Sequence, residues 1–181
     1  MVATVLIRRL TGAGPSATDI TSIYTRADTV DSHTTAETSN PIKVPTSGTN
    51  YSFWVVTRLD ATVTPAGTIN NIKWYTDGAN GFGTGVTCKM DTATGYTQAT
   101  GTAGVTGLQL TQTNYATLAD ANPTDAFGFT SGAPKSVTGT ISNPTTGQFG
   151  DRAVYQIEVG TTAGPGATPQ ETFTLTYDET C

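Results

Sequence analysis

The sequence predicts an all-β, single-domain protein: a β-sandwich or jelly-roll-like fold of about nine or ten strands spanning residues 1–181. Three observations predict it. Forty of the 181 residues are threonine, a β-branched residue that favours strands while keeping them soluble. Twenty glycines and nine prolines punctuate the chain, as turn chemistry requires. Short runs of alternating apolar and polar residues recur between those turns, and no repeat of fixed period appears.

The elements follow in order. "ATVLIRRL", residues 3–10, reads as a first strand. A secretion signal would place its positive charge before an apolar run of about 7–15 residues, whereas here the arginines follow a shorter one. "ATDITSIY", residues 17–24, is a second candidate, and the polar stretch at about 25–50 reads as a surface loop or arm. "NYSFWVVTRLD" is the strongest strand: Tyr51, Phe53, Val55 and Leu59 share one face, and Trp54 and Val56 make the other apolar too. Such a strand belongs in the centre, covered on both sides.

"TINNIKWYTDG" sets Ile72 and Trp74 in register and ends in the turn pair Asp77 and Gly78. "GVTCKMDTATGYTQATG" reads as strand, turn, strand, with Cys88 in step with Val86 and Met90 as a small buried hydrophobe. A disulfide from Cys88 to Cys181 is the alternative. "TGLQLTQTNYATLADANP" starts as a strand, and the spacing of Tyr115 and Leu118 predicts at most one short helix near residues 113–120. "KSVTGTISN" is a further strand, and "YQIEVGTTAGPGATPQETFTLTYDE" reads as a closing hairpin with one core face. In it Tyr155, Ile157 and Val159 point to the core, while Gln156 and Glu158 point to water or a partner.

Composition excludes several functions. Disorder is excluded by seven Tyr, six Phe and two Trp spread through the strands. A net charge of −5, with nine scattered basic residues, argues against nucleic acid and against an acidic membrane surface. Arg8 and Arg9 are adjacent, yet neighbours in a strand face opposite ways.

Catalytic signatures are sparse. The single histidine, His33, has Asp31, Ser32 and Glu37 near it in sequence, and a solvated loop histidine is the simpler reading. One His and two Cys do not make a zinc site without carboxylates. The acids Asp60, Asp77, Asp91, Asp120, Asp125 and Asp151 are read as turn residues rather than a catalytic pair. "DGANGFG" offers Asp77 and Asn80 to calcium but lacks the spaced acids of a calcium loop, and no helix follows it to cradle phosphate. Trp54 and Trp74 are expected in the core, and Tyr75 is the better candidate for stacking on a glycan. No cofactor and no enzymatic activity are expected.

The closing stretch "GDRAVYQIEVGTTAGPGATPQETFTLTYDE", with "WYTDGANGFGTG" and "VLIRRLTGAGPSATDIT", resembles virion structural proteins of tailed bacteriophages, most of all the small β-sandwich proteins that cement the head. The resemblance is one of strand, turn and composition over nearly the whole chain. It implies a homo-oligomer made in the host cytoplasm and placed on the capsid surface, bound to the major capsid protein at subunit junctions. Fibre, tail or receptor-binding components are the alternative it leaves. Within the last loop, uncharged from Gly160 to Gln170, Thr161, Thr162, Pro165, Thr168 and Pro169 are the residues expected to meet another subunit.

Overall fold

The computed structural model describes residues 2–35 and 38–181. Its strands are β1 Thr4–Thr11, β2 Ser16–Asp19, β3 Thr49–Tyr51, β4 Val55–Val63, β5 Thr68–Tyr75, β6 Val86–Ala93, β7 Gly101–Thr102, β8 Thr106–Gly107, β9 Thr124–Asp125, β10 Lys135–Val137, β11 Ile141–Ser142, β12 Gly147–Gly160 and β13 Thr174–Glu179. Among the described residues, nine of these are three residues or longer. They form a β-sandwich-like, all-β fold.

One sheet has the order β2-β1-β4-β12-β6-β9, with β3 also paired to β12. In the other, β5 is central: β13 pairs along it, and β10 and β11 pair with it at Ile72–Trp74 and Thr68–Ile69. Between the sheets lies a core that includes Val55, Leu59, Ile72, Trp74, Cys88, Met90, Tyr155 and Ile157. Aromatic contacts stitch it: Phe173 meets both Trp74 and Tyr155, at centroid distances of 5.1 and 4.8 Å.

The large sheet also buries its opposite face. There Leu10, Phe53, Trp54, Val56, Ala93, Ala99, Leu110, Tyr115, Leu118 and Val154 form a second cluster. The cover is the segment 94–118, which runs mostly as irregular chain and turns. The expected central strand is confirmed in β4, which lies between β1 and β12 with Val55 and Val56 in different clusters. The alternation fails only at its start: β3 ends at Tyr51, and Phe53 turns to the second cluster beside Trp54.

Three expectations are corrected here. Residues 155–179 are not a hairpin, because β12 pairs with β3, β4 and β6 while β13 pairs with β5. Both strands carry one-sided patterns, but alternation reports which face is apolar, not which strand is the neighbour. The helix near 113–120 is replaced by turns, in which the Tyr115 and Leu118 amides donate to the Thr111 and Tyr115 carbonyls at 2.8 and 3.1 Å. Thr111, Thr113 and Thr117 disfavour a helix, and the two apolar residues are buried by tertiary packing instead. A short 3-10 turn forms at Ala126–Gly128, where the Asp125 carboxylate accepts from the Phe127 amide. No strand forms over 94–100, which belongs to the covering layer.

Among the described residues, the stretch expected as an arm forms no strand before β3 and is laid against the body. The Arg9 guanidinium donates to Thr25 Oγ1 and the Arg26 carbonyl at 2.5 and 2.6 Å, and the Phe53 amide donates to the Asp28 carbonyl at 2.7 Å. Thr29, fully buried, donates to the Asn40 carbonyl and accepts from the Gly104 amide. Among the described residues, no helix is long and apolar enough to cross a membrane.

Candidate functional site

The connection from β12 to β13 is long because it changes sheets. It leaves β12 at Gly160, whose amide donates to the Gly85 carbonyl at 2.8 Å. Glu171, near its far end, accepts from the Gly81 amide at 2.6 Å. The loop is thus pinned at two places to the turn between β5 and β6. Close packing there needs glycine: Gly85 has φ +74°, and a Cβ on it would lie 2.4 Å from the Ala163 nitrogen.

All five residues expected at an interface, Thr161, Thr162, Pro165, Thr168 and Pro169, are exposed. Pro165, Thr168 and Pro169 line one side of a shallow hollow of about 240 Å³, with Phe82, Thr84 and Val86 on the other. Phe82 is held edge-on against Phe127, at a centroid distance of 5.8 Å. The opposing wall is the part of this site that the sequence reading missed. Its signal was the glycine-rich "GANGFGTG", which reads as a flexible β-loop rather than as a phosphate or calcium loop. Asp77 and Asn80 serve the turn itself: Asp77 accepts from the Ala79 amide, and Asn80 accepts from the Phe82 amide and donates to the Val86 carbonyl.

The other constellations are placed as follows. His33 Nδ1 lies 3.1 Å from Thr25 Oγ1, the hydroxyl that Arg9 also contacts. Asp31 is occupied by the Gly12 amide at 2.8 Å, and Glu37 lies outside the described residues. Burial, and secondarily Arg9, lower the His33 pKa. Arg9 itself is 1% exposed; burial lowers its pKa, against opposing pulls from Tyr155, Asp28 and Asp31.

Trp54 and Trp74 are core residues, and Trp54 Nε1 donates to the Thr97 carbonyl at 2.9 Å. Tyr75 is half-buried. Cys88 is fully buried, its thiol pKa pushed up by burial, and Cys181 is exposed, both as free thiols.

Four acids read as turn residues lie in strands instead: Asp60 in β4, Asp91 in β6, Asp125 in β9 and Asp151 in β12. Asp60 pairs with Arg8 at 2.7 Å. Asp91, 1% exposed, meets Lys135 at 3.0 Å, and Lys135 also meets Asp120 at 3.0 Å. A charged side chain can serve a strand when a partner is built opposite it, which single-strand patterning does not report. Among the described residues, no group of three or more His, Cys, Asp or Glu side chains gathers to hold a metal. No protein-family model, curated protein or solved structure matches the chain.

Proposed function

We propose that this is a non-enzymatic structural protein of a phage virion. It decorates and stabilises the capsid by seating on the major capsid protein at subunit junctions, through the shelf formed by residues 160–170 and 81–86. The observation that carries this reading is an exposed run, Thr161–Gln170 apart from half-buried Ala163, that holds no charge and yet is tied down at Gly160 and Glu171.

Such a surface suits repeated protein contact. Threonine hydroxyls and methyls and proline rings lose little hydration on being covered, compared with charges. Two prolines and the pinned ends reduce the entropy lost when the loop is fixed by a partner. Each contact is small, but a shell repeats it many times, so weak binding per copy becomes firm attachment overall. The resemblance in strand and turn pattern to head-cementing proteins points the same way.

The test is co-sedimentation of the purified chain with capsids of the major shell protein, beside the double variant Thr161→Glu, Thr168→Glu. Wild type is expected to co-sediment and to raise the temperature at which capsids break. The variant should bind at least tenfold more weakly while melting like wild type. A chain that never co-sediments, or a variant that binds normally, overturns the reading.

A further inference from the structure

A second arrangement, away from the loop shelf, brings an amine and a carboxyl together across the two sheets. Lys135 is in β10 of the smaller sheet and Asp91 in β6 of the larger one. Lys135 Nζ lies 3.0 Å from Asp91 Oδ1. The side chains are 18% and 1% exposed, so little water reaches the contact, and Nζ sits 5.6 Å from the centre of the Phe129 ring.

The Asp91 carboxyl is held from both sides by main chain. Its Oδ1 accepts from the Thr92 amide at 2.7 Å, and its Oδ2 accepts from the Asp120 amide at 2.8 Å. A second carboxylate completes the group: Asp120 Oδ2 is 3.0 Å from the same Nζ, on a side chain 56% exposed. Amine, fixed carboxyl, amide donors on both oxygens and a nearby proton acceptor are the parts an amide-forming site requires.

We propose that Lys135 and Asp91 become joined by an isopeptide bond, formed within the folded chain with Asp120 as the proton relay. The Lys135 ammonium passes a proton to Asp120. The free amine attacks Asp91 Cγ, and charge developing on the carboxyl oxygens is met by the Thr92 and Asp120 amides. Asp120 then delivers its proton, together with a second one from the nitrogen, to the departing oxygen. The C–O bond breaks as the C–N bond is kept; one water leaves, one hydrogen stays on the amide nitrogen, and Asp120 returns to a carboxylate. No oxidant or cofactor enters the balance.

One feature sets the first step and a second favours the product. Burial alone pulls the Lys135 pKa down, but hydrogen bonds to Asp120 and Asp91 outweigh it, so the amine starts charged and a nearby base has to accept a proton. A neutral amide then removes two opposite charges from a contact in which Asp91 is 1% exposed, where keeping a buried charge costs desolvation. The bond would tie β10 to β6 and so fasten one sheet to the other.

Intact-mass measurement of the full chain under denaturing conditions reads the outcome. Wild type is expected to be lighter than its sequence mass by one water. Digestion should then give a branched peptide that joins the Lys135 and Asp91 segments. Lys135→Arg and Asp120→Ala are expected at full sequence mass. Wild type at full mass after prolonged folded incubation overturns the proposal, and so does a water loss that persists in Lys135→Arg. Should either variant fail to fold, the wild-type mass and the branched peptide decide by themselves.

Discussion

The two faces of the large sheet are closed by different means. One is covered by a second sheet, and the contact is apolar: Trp74, Ile72 and Ile69, all from β5, pack toward Val55, Leu59, Tyr155 and Ile157. The other is covered by irregular chain, whose backbone groups find few partners in a regular ladder. There polar side chains do the fastening. Gln156, 1% exposed, accepts from the Leu110 amide at 2.7 Å and donates to the Ser52 and Leu108 carbonyls at 2.8 and 2.7 Å. The Tyr115 hydroxyl donates to the Gly95 carbonyl at 2.8 Å, and burial pushes its pKa up to about 12. Sheet on sheet needs shape and apolar area, whereas loop on sheet also needs every buried amide and carbonyl matched.

The largest effect is expected on the apolar face. Trp74, 1% exposed, contacts Phe129 and Phe173 and stands between Lys135 and Leu175 in register. Trp74→Ala should cost about 4 kcal/mol, a fall in melting temperature of roughly 10 °C. Thermal unfolding measures it, and a loss near that of a surface substitution would mean that the sheets are not held by this core. Gln156→Leu comes next, at about 3 kcal/mol, because it strands buried backbone groups that the apolar side chain does not satisfy. Hydrogen exchange separates the two variants. In Gln156→Leu, amides of residues 94–118 should lose protection before those of β5 and β13. Equal loss in both sheets would show that the faces open as one unit.

That contrast also explains what could be read in advance. Apolar faces were legible where period-two spacing held, as at Ile72 and Trp74 in β5 and at Val86, Cys88 and Met90 in β6, so the burial of Trp74 and Cys88 followed. Gln156 was read as facing water or a partner, because its strand alternates cleanly and a glutamine there looks solvated. What buries it is chain 48 and 46 residues away in sequence, at Leu108 and Leu110, and local pattern carries no record of such cover. The closing strands failed as a hairpin for the same reason, since pairing is decided between strands. The loop residues Thr161–Pro169 were readable as exposed from their glycines and prolines, but the wall across from them, at Phe82, Thr84 and Val86, was set by tertiary approach.

A smaller effect sharpens the comparison at a third kind of cover, the tied-down segment after β2. With His33 neutral, Thr25 Oγ1 can donate to Nδ1 while accepting from Arg9. A protonated ring carries a hydrogen on Nδ1, competes with Arg9 for the same hydroxyl, and adds a positive charge beside it. The lowered pKa has the matching sign. Unfolded chains bind this proton more readily than folded ones, so folding stability falls as pH drops through about 6.5, the unfolded value. Tyr155, Asp28, Asp31 and Tyr96 face Arg9 and oppose the effect of its burial, while Arg9 is the charge that acts on His33. The difference in melting temperature between pH 7 and pH 5 should therefore shrink slightly in His33→Gln relative to wild type. An unchanged difference would mean that the hydroxyl between His33 and Arg9 does not couple the ring to the buried cation.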